Sequence, residues 1–129
     1  MSLKSLNKTQ KAAVEAIDGP VLIFAGAGSG KTRVLTHKLY YLVDEGLFKP
    51  EEILAVTFTN KAAKEMKERV MKLLKANELD LSMGTFHSIC ARILREDIEV
   101  LGFSRHFAIY DVKDQLDLIK VLFEEFEIS

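Results

Sequence analysis

The residues with the clearest chemistry are a run of small and polar positions, Ala25-Gly26-Ala27-Gly28-Ser29-Gly30-Lys31-Thr32. Residues without bulky side chains let successive backbone N–H groups converge on one point, and such a concavity binds anions. An apolar run, Val21-Leu22-Ile23-Phe24, precedes it and a helical pattern follows. The run therefore opens onto a helix N-terminus, whose free N–H groups and dipole favour phosphate. From that position Lys31 would reach β- and γ-phosphates, and the Thr32 hydroxyl would ligate Mg²⁺. One residue departs from the strict pattern, Ala25 standing where glycine is usual, and alanine is tolerated there if φ stays negative. The dinucleotide pattern G-x-G-x-x-G fails, because its third glycine position is Lys31. The expectation is a nucleoside triphosphate site with Lys31 and Thr32 as its catalytic pair.

Such a site also needs an acid at the end of another strand to hold the metal and orient water. Leu42-Val43-Asp44-Glu45 has the right types but lies at the far end of the helix after the loop. Phe107-Ala108-Ile109-Tyr110-Asp111 reads better as a strand, yet Asp111 reads more simply as a helix N-cap. Neither is assigned, and the acid is expected to lie outside these 129 residues.

The elements that must position these groups alternate in type. Asn7 with Gln10 three residues on forms a capping box opening a helix over about 8–17, closed by Gly19-Pro20. Val21–Phe24 is expected as a buried strand, and the next helix runs from about Lys31 to Glu45 and stops at Gly46. Ile53 to Phe58 reads as a second buried strand, and Asn60 caps a helix reaching about Ala76. That helix places Ala62, Ala63, Met66, Val70, Leu73 and Leu74 at helical spacing. Leu81 to Phe86 is a weaker third strand, followed by a helix from about His87 to Leu101. Gly102 to Tyr110 is irregular, and Asp111 starts a last helix with Val112, Leu116, Ile119, Phe123 and Phe126 as its apolar stripe. Strands alternating with crossover helices predict an α/β fold with a parallel sheet flanked by helices. Three strands are fewer than the five or six usual for such sheets, so the chain reads as the opening part of one.

Composition narrows the classes further. With 129 residues, 48% apolar, the chain can bury a core without a metal or disulfide staple. Its single cysteine, Cys90, cannot form an internal disulfide and fits a reducing compartment. The N-terminus lacks an apolar signal core, and no run approaches the ~18 apolar residues of a membrane span. The net charge of −1 conceals a split: residues 1–75 hold 13 Lys/Arg against 8 Asp/Glu, and residues 76–129 hold 5 against 11. Charge asymmetry of this kind raises the question of a polyanion on one half, although from charge alone solvated helix faces are the simpler account.

Four ordered stretches resemble the UvrD/PcrA/Rep group of superfamily 1 DNA helicases. Leu6-Asn7 with Gln10 is similar to its Q motif, and Gly28-Ser29-Gly30-Lys31-Thr32-Arg33 to motif I. Thr57-Phe58-Thr59-Asn60-Lys61-Ala62-Ala63 is similar to motif Ia, and Gly84-Thr85-Phe86-His87-Ser88 to motif Ib. The resemblance covers essentially the whole chain. It implies a partial RecA-like P-loop NTPase fold, with residues 1–101 as the N-terminal part of ATPase subdomain 1A and 102–129 as the start of helical subdomain 1B. It implies ATP and Mg²⁺ as ligands, with Gln10, Ala25, Gly26, Ala27, Gly28, Ser29, Gly30, Lys31, Thr32 and Arg33 around the nucleotide. Gln10 would read the adenine edge through its carboxamide, or serve only as the cap partner of Asn7. Arg33 would stack on adenine as a planar cation, or sit on the helix surface.

The same resemblance assigns Phe58, Thr59, Asn60, Lys61, Thr85 and His87 to DNA. An aromatic side chain at a strand exit stacks on any base, although Phe58 also reads as core by continuing an apolar strand. Thr59 to Lys61 lie at a helix N-terminus, where phosphates are readily held. The helix after them carries Lys61, Lys64, Lys67, Arg69, Lys72 and Lys75 against Glu65 and Glu68, with Glu65–Arg69 and Glu68–Lys72 as i,i+4 pairs.

The implied parent is a cytoplasmic ATP-dependent helicase that translocates 3′ to 5′ on single-stranded DNA and unwinds duplex DNA in repair or replication. Its partners are DNA, ATP and the remainder of the chain with a second RecA-like lobe, and no membrane. The 129 residues alone are expected to bind nucleotide weakly and to lack turnover. Two further readings stay open: a self-contained small P-loop kinase or GTPase-like switch using Asp111, and a helicase subunit of a recombination nuclease-helicase. A nucleotide-gated interaction module is the non-enzymatic alternative.

Overall fold

A computed structural model describes residues 3–127. The first helix, α1 (Lys8–Glu15), opens on the expected capping box. The Gln10 N–H donates to Asn7 Oδ1 at 2.8 Å, and the Asn7 N–H donates to Gln10 Oε1 at 3.1 Å. Its C-terminal end is finished from outside: the Lys38 ammonium of α2 (Lys31–Asp44) donates to the carbonyls of Ala13 and Ala16. Partial burial there lowers the Lys38 pKa by desolvation. α1 packs along α2, and each contributes a buried valine, Val14 and Val34.

The expected strand at Val21–Phe24 does not form, and no regular element covers residues 16–30. Leu22 and Phe24 are exposed, Phe24 at 91%. A parallel strand exists only through a ladder partner on its edge. β1 (Leu54–Thr57) and β2 (Ser82–Thr85) pair with each other in parallel, and neither pairs with Val21–Phe24. The composition of that run specifies apolar extended chain, and a strand needs a neighbour as well.

α3 (Asn60–Leu74) links β1 to β2 and packs on both strands and on α2. Its expected cap moves by one residue. The Thr59 hydroxyl accepts from the Ala62 N–H at 3.1 Å, so Asn60 is the first helical residue. Leu39, Ile53, Met66, Val70, Leu79 and Leu81 form the core where these elements meet. The Glu65–Arg69 pair forms at 3.5 Å, whereas Glu68–Lys72 is absent from the ion pairs of the described residues.

α4 (Phe86–Asp97) begins directly at the end of β2, and a short 3₁₀ turn, Ile98–Leu101, ends at Gly102. Gly84 permits this junction. A Cβ on it would stand 2.5 Å from Ser88 Oγ, a distance real Cβ atoms do not show. The last helix, α5 (Val112–Glu125), has Asp111 as its N-cap in a capping box with Asp114. By backbone contacts the chain divides into two compact units, Met1–Ala91 and Arg92–Ser129. The ends of the two segments expected from sequence, residues 1, 2, 128 and 129, lie outside the described residues. The whole is a mixed α/β arrangement with a parallel sheet flanked by helices, as a partial RecA-like fold has. Among the described residues no helix is long and apolar enough to cross a membrane.

Candidate functional site

The glycine-rich loop is built by its own backbone. Ser29 closes a turn on Gly26, its N–H and hydroxyl both donating to the Gly26 carbonyl, at 3.3 and 2.7 Å. Gly30 is the N-cap of α2 in a left-handed conformation, φ +90°, which an L side chain rarely adopts. The N–H of Val34 donates back to its carbonyl at 3.0 Å. The Lys31 ammonium turns across the loop and donates to the carbonyls of Ala25 and Gly26 at 2.9 and 2.7 Å. One positive charge is thereby held at the mouth of a backbone concavity at the start of a helix, an arrangement that attracts phosphate.

Gln10 is the cap partner of Asn7 and also reaches the glycine-rich loop. While its Oε1 serves the Asn7 cap, its Nε2 donates to the Ser29 carbonyl at 3.2 Å. A Cβ on Gly30 would meet that same Nε2 at 3.0 Å. The capping box thus fixes the first turn of α1 against the glycine-rich loop. Gln10, Ala25, Gly26, Ser29 and Lys31 line one cavity of about 290 Å³ with Asn7, Ile23 and Phe24. Ala27 and Gly28 form the exposed loop tip, Gly28 with φ +74°.

Arg33 is not in that cavity. Its Nη2 donates to the Ser5 carbonyl at 2.9 Å, and its side chain lines a separate cleft of about 600 Å³ with Thr36, His37 and Tyr40 of α2 and the end of α3. Thr32 is exposed on the first turn of α2, and its carbonyl accepts from the Thr36 hydroxyl at 2.8 Å. Its own hydroxyl is one neutral oxygen donor. Among the described residues no group of three or more His, Cys, Asp or Glu is set to hold a metal. That donor set fits a Mg²⁺ ion held chiefly by phosphate and water, and not an all-protein site.

Both acids weighed from sequence have other work. Asp111 accepts from the Asp114 N–H at 2.9 Å as a helix cap, and Asp44 accepts from the Tyr40 hydroxyl one turn earlier on α2.

The residues of the two later motifs gather where β1 and β2 end. Phe58, Thr59, Asn60 and Lys61 are exposed as the chain enters α3. Thr85 is tied to α4: its N–H and its hydroxyl donate to Ser88 Oγ at 2.9 and 3.1 Å. The Ser88 hydroxyl donates to the Thr85 carbonyl at 2.9 Å. His87 is exposed on the first turn of α4. The Phe58 ring lies against Phe86, centroids 6.0 Å apart at 50°. Phe58 is 92% exposed, so it is no core residue. Phe86 is the member of this group that the sequence reading did not single out. Its signal was present, since Thr-Phe recurs at both strand exits, Thr57-Phe58 and Thr85-Phe86.

Comparison with known proteins gives this geometry a family. The chain is 54% identical over 123 residues to the ATP-dependent DNA helicase PcrA of Bacillus subtilis, covering 95% of this chain and 17% of that protein. It is 54% identical over 118 residues to the ATP-dependent DNA helicase PcrA of Staphylococcus aureus, covering 92% of this chain and 16% of that protein. The chain therefore spans about a sixth of the length of these relatives. Residues 6–129 match the UvrD/REP helicase N-terminal domain, and the chain belongs to that family.

Proposed function

We propose that this chain is the ATP-binding N-terminal portion of a DNA helicase that moves 3′ to 5′ along single-stranded DNA and unwinds duplex DNA. The observation that carries the reading is the phosphate loop itself. The Lys31 ammonium crosses the loop carbonyls and Gln10 is tied to Ser29, in a chain 54% identical to proteins named ATP-dependent DNA helicase PcrA. The loop N–H groups from Gly28 to Thr32 and the Lys31 ammonium hold the β- and γ-phosphates of ATP. To do so, Lys31 exchanges its two carbonyl partners for phosphate oxygens of full charge. Thr32 holds Mg²⁺, which when bound neutralises charge developing on those phosphates. Gln10 turns its carboxamide to the adenine edge, and Arg33 leaves the Ser5 carbonyl to stack on the ring.

Phe58 takes unpaired bases, Thr59, Asn60, Lys61 and Thr85 meet the DNA backbone at two helix N-termini, and His87 meets the backbone or a base. Residues 1–101 act as part of the ATPase subdomain and 102–129 as the entry to a helical subdomain. The metal-holding acids, the arginine fingers and a second RecA-like lobe come from the remainder of a parent protein that works in the cytoplasm. The 129 residues by themselves bind nucleotide without turning it over.

Titration of the chain with a fluorescent ATP analogue and Mg²⁺ tests this reading. Lys31→Ala is expected to weaken binding by about 10- to 150-fold, the loss of charged hydrogen bonds worth roughly 1.5–3 kcal/mol. Unchanged affinity would overturn the loop as the phosphate site. Turnover stimulated by single-stranded DNA and abolished by Lys31→Ala would overturn the expected inactivity.

A further inference from the structure

The groove between α2 and α3 holds a concavity of its own, apart from the glycine-rich loop. It encloses about 600 Å³, within the ordinary range of small-molecule sites, roughly 300–1,000 Å³. Tyr40 and Leu73 are among its walls, and Arg69, Lys72 and Lys75 stand around it. Among the described residues, none that lines it is an Asp or Glu. Glu65 is engaged by Arg69, and Asp44 by the Tyr40 hydroxyl. Lys72 and Lys75 make no ion pair among the described residues. Lys75 ends α3 in a left-handed conformation, φ +54°, where glycine is the usual residue. The end of that helix thus brings a cation to the cleft.

A buried histidine says which anion suits it. His37 lines the cleft, is 7% exposed, and has its Nδ1 2.8 Å from the Arg33 carbonyl. A carbonyl only accepts, so Nδ1 carries the hydrogen and Nε2 is left as the acceptor of the neutral ring. Nε2 has no hydrogen-bond partner among the described residues. A buried polar atom without a partner is destabilising, and a ligand that shares a proton with it relieves this. The ligand must therefore bring negative charge for the lysines and a proton for the imidazole. A carboxylate or a sulfate is fully ionised near neutral pH and has no proton to share. A phosphomonoester, whose second pKa is about 6, keeps one hydroxyl over part of that range.

We propose that the cleft between α2 and α3 binds a phosphomonoester with an apolar body. Its phosphoryl group bridges Lys72, Lys75 and His37 Nε2, and its body lies against Tyr40 and Leu73. Arg33 takes no part, its guanidinium being on the Ser5 carbonyl. The site stands independently of the nucleotide reading above.

The test is NMR titration of the whole chain with phenyl phosphate and with phenyl sulfate at about pH 6, where both phosphate forms are present. The chain carries Lys31→Ala, which removes the ammonium of the glycine-rich loop. Phenyl phosphate is expected to move the His37 ring signals to saturation. It should bind about 10-fold more tightly than phenyl sulfate, the worth of one hydrogen bond to a charged group. His37→Asn keeps a donor for the Arg33 carbonyl and lacks Nε2, so it should lose that preference while still binding both anions weakly. Lys72→Gln with Lys75→Gln should weaken both anions by about 10-fold and leave the preference in place. His37 signals that do not move, equal affinity for the two anions, or a preference that survives His37→Asn would overturn the site. Phosphate binding seen with Lys31 present and lost with Lys31→Ala would assign the anion to the loop instead.

Discussion

The two compact units use similar apolar patterns to different ends. Every buried residue among those described lies between Val14 and Ile89, within Met1–Ala91. In Arg92–Ser129, the stripe of α5 (Val112, Leu116, Ile119, Phe123, Phe126) follows helical spacing as regularly as that of α3, yet all five side chains are exposed. α3 is buried because two strands and α2 meet its apolar face. Periodicity makes a helix amphipathic, but only a partner surface turns that into burial. Contacts within the second unit are local: the Asp111–Asp114 box, a Glu99–Arg105 ion pair at 3.0 Å, and Arg95 over the Phe107 ring at 5.5 Å.

This contrast is most directly challenged by core truncation. Met66, 4% exposed, belongs to the apolar stripe of α3, and Leu116, 53% exposed, to that of α5. Met66→Ala is expected to lose about 2–5 kcal/mol in urea denaturation, and Leu116→Ala under about 0.5 kcal/mol. Equal losses would show that α5 is covered in solution.

Glycine substitution sharpens the difference between tertiary and local constraint. Gly84→Ala is expected to lose about 1–3 kcal/mol through overpacking against Ser88. Ser88→Ala in the same chain removes the clashing oxygen, so the double variant should lose less than the two single losses together. Gly102→Ala in the second unit meets nothing within 4 Å. It should lose about 1–2 kcal/mol through its φ of +80° alone, and no neighbouring substitution should recover it. Additivity at Gly84 and Ser88 would refute the close approach.

The smallest effect concerns helix ends. α1 and α5 both open on capping boxes of their own residues, but the C-terminal end of α1 relies on Lys38 from another helix. Lys38→Met is expected to lose about 1 kcal/mol at neutral pH through the lost hydrogen bonds. Because burial lowers the folded-state pKa of Lys38, the unfolded chain holds more protons as pH approaches the ordinary lysine value of 10.5. Stability from this group therefore rises with pH through the window just below that value. The gap between the parent chain and Lys38→Met should widen there; a narrowing gap would contradict the assigned direction.

Much of the site was legible because its signals are short. The loop from Ala25 to Thr32, the box of Asn7 with Gln10, and the Asp111 cap depend on residues three to six positions apart, whose spacing survives whatever the rest of the chain does. The cap of α3 was misread by one residue because Thr59 and Asn60 are both competent caps, and backbone direction chose Thr59. Val21–Phe24 was misread because apolar, β-branched composition marks a strand only when an edge accepts it. Phe58 was ambiguous for the same reason, since apolar type does not say which face of the fold it will reach.

The sequence by itself determined the helices, the capping boxes of α1 and α5 and the glycine-rich loop, since these rest on connectivity and near-neighbour hydrogen bonds. The tertiary structure alone decided three things. It set the parallel register that places Phe58 beside Phe86, the reach of Gln10 Nε2 to the Ser29 carbonyl, and the division between buried and bare apolar stripes. Each joins groups distant in the chain, and no local preference specifies which distant surface a side chain will meet.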